Sequence, residues 1–184
     1  MTPEKLEALL QEPRWPHETP GSPLKWNRVA GLIRLCEDSF GRKITDPDPE
    51  ELPLICEIGI ASGVSTEVFA AFGNVQAIDF HLWKPAVDRF QGREDRVTLL
   101  QAESWASSEL VEDGAFDMVY LDSDHSYNHV YREIQLWLPK VKKGGFLAGH
   151  DSSFSFPGVQ QAVMELLGGA DMTYEDTSWI FRVN

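Results

Sequence analysis

The apolar positions of this chain change period several times, and the changes mark its elements. Residues 2–11 carry one short helical pattern. A stretch at 12–23 holds Pro13, Pro16, Pro20 and Pro23 and reads as an extended arm, with Trp15 and His17 available for packing or for a lid. Ser22-Pro23 is a helix start, a capping residue followed by proline at the first helical position. Trp26, Val29, Ala30, Ile33 and Cys36 then recur at helical spacing up to Gly41. Asp46-Pro47-Asp48-Pro49 is a linker. From Pro53 the pattern shifts to short apolar runs of the kind found in strands buried on both faces. Strands are expected at 54–59, 75–80, 96–101, 116–121 and 146–149, and helices at 64–72 and 85–90. Ser126 is expected to cap a helix in which Tyr127, Val130, Tyr131, Ile134 and Leu138 form one apolar stripe, ended by Pro139 to Gly145. Val159, Ala162, Val163 and Leu166 mark a last helix closed by Gly168-Gly169, and 172–176 and 179–183 read as two adjacent strands.

Strands that alternate with helices form βαβ units, so the fold class is α/β with a doubly wound, mostly parallel sheet. Two consecutive strands at the end place an antiparallel pair on one edge. There is no internal repeat and no low-complexity tract.

With 184 residues the length fits one domain, and 42% hydrophobic with 24% charged residues is globular composition. Charge adds more. Asp and Glu number 29 against 16 Lys and Arg, a net charge of -13. That field repels phosphate backbones, so no nucleic-acid partner is expected, and a small molecule or a cation suits it better. The small basic cluster Lys140, Lys142, Lys143 sits where cations favour a helix C-terminus. Cys36 and Cys56 are too few for a disulfide framework and read as buried apolar groups in a reducing compartment. The charged N-terminus is no secretory signal, and no apolar stretch is long enough for a membrane span. A cytoplasmic location with no membrane partner is expected. The apolar face of the N-terminal helix is available for a homo-oligomer interface.

Ligands of doubly wound sheets bind beyond the C-terminal strand ends, so the loops there carry the chemistry. The first is Glu57-Ile58-Gly59-Ile60-Ala61-Ser62-Gly63. Gly59 permits the turn and Gly63 permits close approach of a helix and a ligand. Neither the dinucleotide fingerprint nor the Walker phosphate loop is present, so a diphosphate is not the expected ligand. Asp79, followed by Phe80, ends the second strand, where a carboxylate accepts hydrogen bonds from ribose hydroxyls. Glu103 and Ser104 follow the third strand, within reach of an adenine amino group, with Trp83 and Trp105 placed to flank the base and Trp137 expected to pack. Glu57 is placed to face an ammonium group. A ribose, an adenine and a cation without phosphates describe S-adenosylmethionine.

The fourth and fifth strands end in Leu121-Asp122-Ser123-Asp124-His125-Ser126 and Gly149-His150-Asp151. Adjacent strand ends bring these loops together. Asp122 and Asp151, joined by His150 or Asp124, are placed to hold Mg²⁺ or another divalent cation. His125 or His150 is the candidate general base. The bland alternatives are that Asp122 and Asp124 cap the following helix and that His125 ties loops together. His125 and His129 lie one helical turn apart, too few ligands for a zinc site.

The segments EIGIASGVST (57–66), AIDF (77–80), LDSDHSYNHVYREIQLWLPKVKKGG (121–145) and LAGHD (147–151) resemble the class I S-adenosylmethionine-dependent methyltransferases. The similarity is nearest to small-molecule O-methyltransferases of the macrocin and mycinamicin sugar type, and more distant to catechol-type enzymes. It spans 54–184. The resemblance implies a Rossmann-like seven-stranded sheet of order 3-2-1-4-5-7-6 with strand 7 antiparallel. It implies S-adenosylmethionine bound by Glu57, Gly59, Ala61, Ser62, Gly63, Asp79, Phe80, Glu103, Ser104 and Asp122. It further implies a hydroxylated small-molecule acceptor, and metal ligands at Asp122, His150 and Asp151. His150 departs from the catechol-type pattern, in which Asp or Glu is usual. Residues 1–53 are left as an arm and helix that help shape the acceptor pocket, and 54–184 as the cofactor-binding core. Two other classes compete: an NAD-dependent oxidoreductase, disfavoured by the missing glycines, and a non-catalytic binding module, disfavoured by the carboxylate and histidine cluster.

Overall fold

β-Branched and aromatic runs bounded by glycine build the sheet. The computed structural model describes the backbone of residues 1–11 and 25–184 and the side chains of 1–10 and 29–184. The arm at 12–23, Trp15, His17, the Ser22-Pro23 helix start and the Trp26 side chain lie outside the described residues. Helices α1 (Pro3–Gln11) and α2 (Lys25–Phe40) precede strand β1 (Leu54–Ile58). There follow α3 (Val64–Ala70), β2 (Asn74–Asp79), α4 (Lys84–Phe90), β3 (Val97–Gln101), α5 (Ser104–Glu109) and β4 (Phe116–Leu121). The chain closes with α6 (Tyr127–Trp137), β5 (Val141–Gly149), α7 (Pro157–Leu167), β6 (Met172–Thr173) and β7 (Trp179–Arg182). The seven strands stand in the order β3-β2-β1-β4-β5-β7-β6. β7 runs antiparallel to both β5 and β6, and the other pairings are parallel. The expected order and the antiparallel strand are both present, in a single Rossmann-like domain.

The strand period of two divides the core into two layers. Ile55, Met118 and Tyr120 face one side, where they meet α2 and α3 through Leu35, Val68 and Phe69. Cys56, Val119 and Leu121 face the other, where they meet α6 and α7 through Ile134, Trp137 and Val163. Leu9 of α1 and Leu32 of α2 belong to the first layer, so the N-terminal helices share the core of the sheet. Cys36 and Cys56 are free and fully buried, and burial pushes both thiols up. Among the described residues no helix is long and apolar enough to cross a membrane.

Three local features differ from expectation. α5 has no apolar repeat in SWASSE and forms because tertiary contact fixes it: the Trp137 indole donates to Ser104 Oγ at 2.9 Å. β5 begins at Val141, five residues early, because Gly144 at φ +79° lets the chain pass a register shift against β4. β6 is cut to two residues because a tight turn intervenes, with Tyr174 N–H donating to Ser178 O and Thr177 at φ +71°.

Trp137 is fully buried between α6 and the sheet, against Phe116, and its indole holds α5. Replacing it with alanine is expected to lower unfolding free energy by about 3–5 kcal/mol, the range for a large buried aromatic, read by denaturant titration.

Candidate active site

The C-terminal ends of β1 to β4 surround one cavity of about 450 Å³. Its wall begins at the turn after β1. Gly59 lies at φ +91°, and a Cβ there would stand 2.2 Å from the Asp122 carbonyl oxygen. The turn and the end of β4 are therefore in direct backbone contact. Ala61 occupies the left-handed region at φ +49° although it carries a methyl group, and it lines the cavity. Gly63 also has positive φ, but the neighbour that excludes a side chain there is the Phe90 ring, 2.7 Å from a built Cβ. Gly63 thus lets α4 pack against the N-terminus of α3. Ser62 uses its carbonyl to accept from Arg89 Nε at 3.3 Å. Neither Ser62 nor Gly63 is part of the cavity lining.

Asp79 lies at the cavity wall with its carboxylate turned onto the same loop. Oδ2 accepts from Ile60 N–H at 2.8 Å and Ala61 N–H at 3.4 Å, and Oδ1 accepts from His81 N–H at 3.1 Å. Glu57, expected to face an ammonium group, is fully buried and outside the cavity lining. Its two oxygens accept the hydroxyls of Ser65 and Thr66 in the first turn of α3. That arrangement corrects the expectation. β1 is covered on both faces, so a carboxylate at its penultimate position must find donors in the packed interior.

Phe80, Trp83, Glu103 and Ser104 line the opposite wall. Phe80 is 71% exposed at its mouth. Trp105 is not in the lining; its ring carries the Arg132 guanidinium at 3.7 Å and packs against His129 at 5.3 Å. Trp137 packs, as expected.

Acidic and imidazole groups converge at the ends of β4 and β5. His125 Nε2 lies 3.1 Å from Asp151 Oδ2 and 3.5 Å from Asp122 Oδ1. One ligand-type atom from each of these residues lies within 4.8 Å of the others. His150 approaches the same carboxylates through Nδ1, at 3.2 Å from Asp151 and 3.7 Å from Asp122, with its side chain only 5% exposed. The converging set is therefore Asp122, His125 and Asp151, with His150 behind it, where His150 was expected in the front rank. Asp151 itself lies in the left-handed region at φ +58°. Asp124 is spent on capping: Ser126 N–H donates to its Oδ1 at 2.7 Å, and the bonds from Ser126 hold its pKa below the ordinary carboxylate value.

Two neighbours were not singled out from the sequence. Glu133, on α6 and 1% exposed, accepts from Ser123 Oγ at 2.8 Å and lies 3.2 Å from His129 Nε2. The His129–Glu133 spacing of one helical turn was a readable signal. Phe156, past β5, sets its ring edge-on to His125 at 4.7 Å.

Gly59→Ala is expected to lose about 1–2 kcal/mol from the left-handed backbone alone, with more from the Asp122 clash. Ala61→Gly is expected to gain up to about 1 kcal/mol by relieving the same strain. Paired thermal melts check both. The Glu133 carboxylate holds the His129 pKa above the ordinary imidazole value. A pKa raised on folding gives stability that is full below the unfolded value, about 6.5, and that fades as pH rises through the folded value. Glu133→Gln is expected to flatten that part of the stability profile above pH 6, measured by denaturation across pH.

A family model described as a methyltransferase domain matches residues 56–152. No curated protein matches the chain. Among solved structures, the fold is similar to a Klebsiella pneumoniae protein described as an O-methyltransferase, at 20% identity, covering 98% of this chain and 87% of that one, with TM-score 0.59. It is similar to a Staphylococcus aureus protein described as a caffeoyl-CoA O-methyltransferase, at 16% identity, 96% and 88% coverage and TM-score 0.56. It is also similar to a TDP-rhamnose 3'-O-methyltransferase of calicheamicin biosynthesis, at 18% identity, 99% and 95% coverage and TM-score 0.58. The match to the family model covers more than half of the chain, from β1 through the end of β5, and the chain belongs to the methyltransferase-domain family.

Proposed function

We propose that this chain is an S-adenosylmethionine-dependent O-methyltransferase acting on a hydroxyl of a small molecule. One observation carries the reading. A single cavity joins the β1 loop, Asp79 and Glu103 to Asp122 and His125, so a nucleoside wall and an acid–imidazole wall face the same space. The donor set fits the cofactor. Asp79 keeps acceptor capacity beyond its three amide bonds, since an ionised carboxylate has about four lone-pair sites. Glu103 and Ser104 stand at the same wall, and Phe80 and Trp83 offer apolar faces to a base. When bound, S-adenosylmethionine supplies a sulfonium methyl group for in-line displacement.

Residues of the chain do the rest. The Ile60 and Ala61 amides, held by Asp79, fix the turn against which the cofactor lies. Asp122 reaches both walls and aligns the reacting groups, and alignment is the main source of rate in such a transfer. His125 takes the proton of the acceptor hydroxyl, and Asp151 and Asp122, which lie beside its Nε2, stabilise the resulting imidazolium. The exposed Phe154 and the Phe156 ring against His125 provide an apolar edge for the acceptor. We assign residues 1–53 to the acceptor side and 54–184 to cofactor binding.

Asp122, His125 and Asp151 also fit a divalent cation. Two carboxylates and one imidazole within 4.8 Å suit Mg²⁺ or Mn²⁺. A cation held there supplies Lewis acidity that lowers the pKa of a hydroxyl.

Titration calorimetry with S-adenosylhomocysteine tests the reading. Binding is expected at micromolar concentration, and Asp79→Ala is expected to weaken it at least tenfold, about 1.4 kcal/mol. No binding at high micromolar concentration rejects the proposal. In turnover assays on hydroxylated acceptors, EDTA is expected to remove activity and Mg²⁺ to restore it. Full activity in EDTA assigns the proton transfer to His125 without a metal.

A further inference from the structure

Behind the acid–imidazole cluster lies a second, much smaller void of about 10 Å³, between β4, α6, α7 and β7. His150, Glu133 and Trp179 are among its lining residues. Each carries a buried polar atom that makes no hydrogen bond among the described residues: Nε2 of His150, Oε1 of Glu133 and Nε1 of Trp179. Glu133 Oε1 stands 3.2 Å from His129 Nε2 as an ion pair, without a hydrogen bond between them. His125 lines the void too, and its Nε2, likewise without a hydrogen bond, has Asp151 Oδ2 at 3.1 Å; buried polar groups are satisfied as a rule, and the other three share this void. Trp179 reaches the void because Gly149 has no side chain: a Cβ there would lie 2.7 Å from the indole.

We propose that this void is a binding site for one structural water, bonded to His150 Nε2, Glu133 Oε1 and Trp179 Nε1. The volume corresponds to about one water position, and about three polar partners are usual for such a water. An indole nitrogen only donates and a carboxylate oxygen only accepts, so the water accepts from Trp179 and gives one hydrogen to Glu133. Its remaining hydrogen and lone pair can meet His150 Nε2 either as acceptor or as donor. The contact at Nδ1 decides between them: Nδ1 faces the Asp151 carboxylate at 3.2 Å and carries the ring proton, so Nε2 accepts the water's second hydrogen.

The consequence is a positioning role. His150, fixed from behind by the water, donates Nδ1–H to Asp151 and sets the angle of that carboxylate toward His125. Glu133 joins the same water to Ser123 and His129, both in the lining of the large cavity. His150 Nε2 faces the interior, so the imidazole presented to a reacting hydroxyl is that of His125.

The ligand-free full chain provides the test, so the outcome does not depend on whether the cofactor binds. Long-range ¹H–¹⁵N NMR of the histidines at pH 8 is expected to show His150 protonated on Nδ1, and the Trp179 indole N–H is expected to exchange magnetisation with a long-lived water. A high-resolution crystal structure is expected to show one water within hydrogen-bond distance of all three atoms. An Nε2-protonated His150 or a dry void overturns the proposal. Trp179→Phe keeps the ring and removes the donor. By loosening the water it is expected to move the His150 Nε2 chemical shift, with the fold retained by circular dichroism, and an unchanged His150 spectrum also overturns the proposal. If that variant fails to fold, the measurements on the unaltered chain decide.

Discussion

The contact between Gly59 and the Asp122 carbonyl organises everything at the C-terminal edge of the sheet. Backbone meets backbone there with no space for even a methyl group. That approach seats the β1 turn beside the β4 loop and so fixes the floor between the two walls of the cavity. It also positions Asp122 with one side toward the glycine loop and the other toward β5. Since β4 and β5 are parallel neighbours, His150 and Asp151 come up beside Asp122 without any further device.

Carboxylates at this edge hold loops as well as face the cavity. Glu57 binds the first turn of α3, Asp79 binds the amides of the glycine loop, and Asp124 binds the start of α6. Asp79 and Asp124 take backbone N–H groups that the turns would otherwise leave open, and Glu57 takes two buried hydroxyls. The excess of acidic residues is therefore partly structural. Asp122 and Asp151 differ, because the imidazoles of His125 and His150 stand beside them.

α6 connects the two layers of this arrangement. Trp137 anchors its C-terminal end in the core, and Glu133 near its middle draws in Ser123 and His129. A buried acid on a well-anchored helix is a firm support, because its neighbours must adapt to it and not the reverse. The cavity wall formed by Ser123, His125 and His129 owes its shape to that support.

The sequence by itself determined the sheet. Apolar runs between glycines, spaced by helical patterns, allow few arrangements, and strand order with the antiparallel closing pair was legible from them together with the family resemblance. It also determined which strand ends hold reactive side chains, because a residue's place after a strand fixes which edge it reaches. Polar α5, the early start of β5 and the short β6 were not legible, since each depends on a contact or a left-handed residue with no local periodic signal. Tertiary structure alone decided which way each carboxylate turns and which histidine stands in front. Those choices depend on contacts between loops remote in sequence. The left-handed Asp151, the absent side chain at Gly149 and the buried Glu133 set them jointly, and no spacing along the chain encodes that sum.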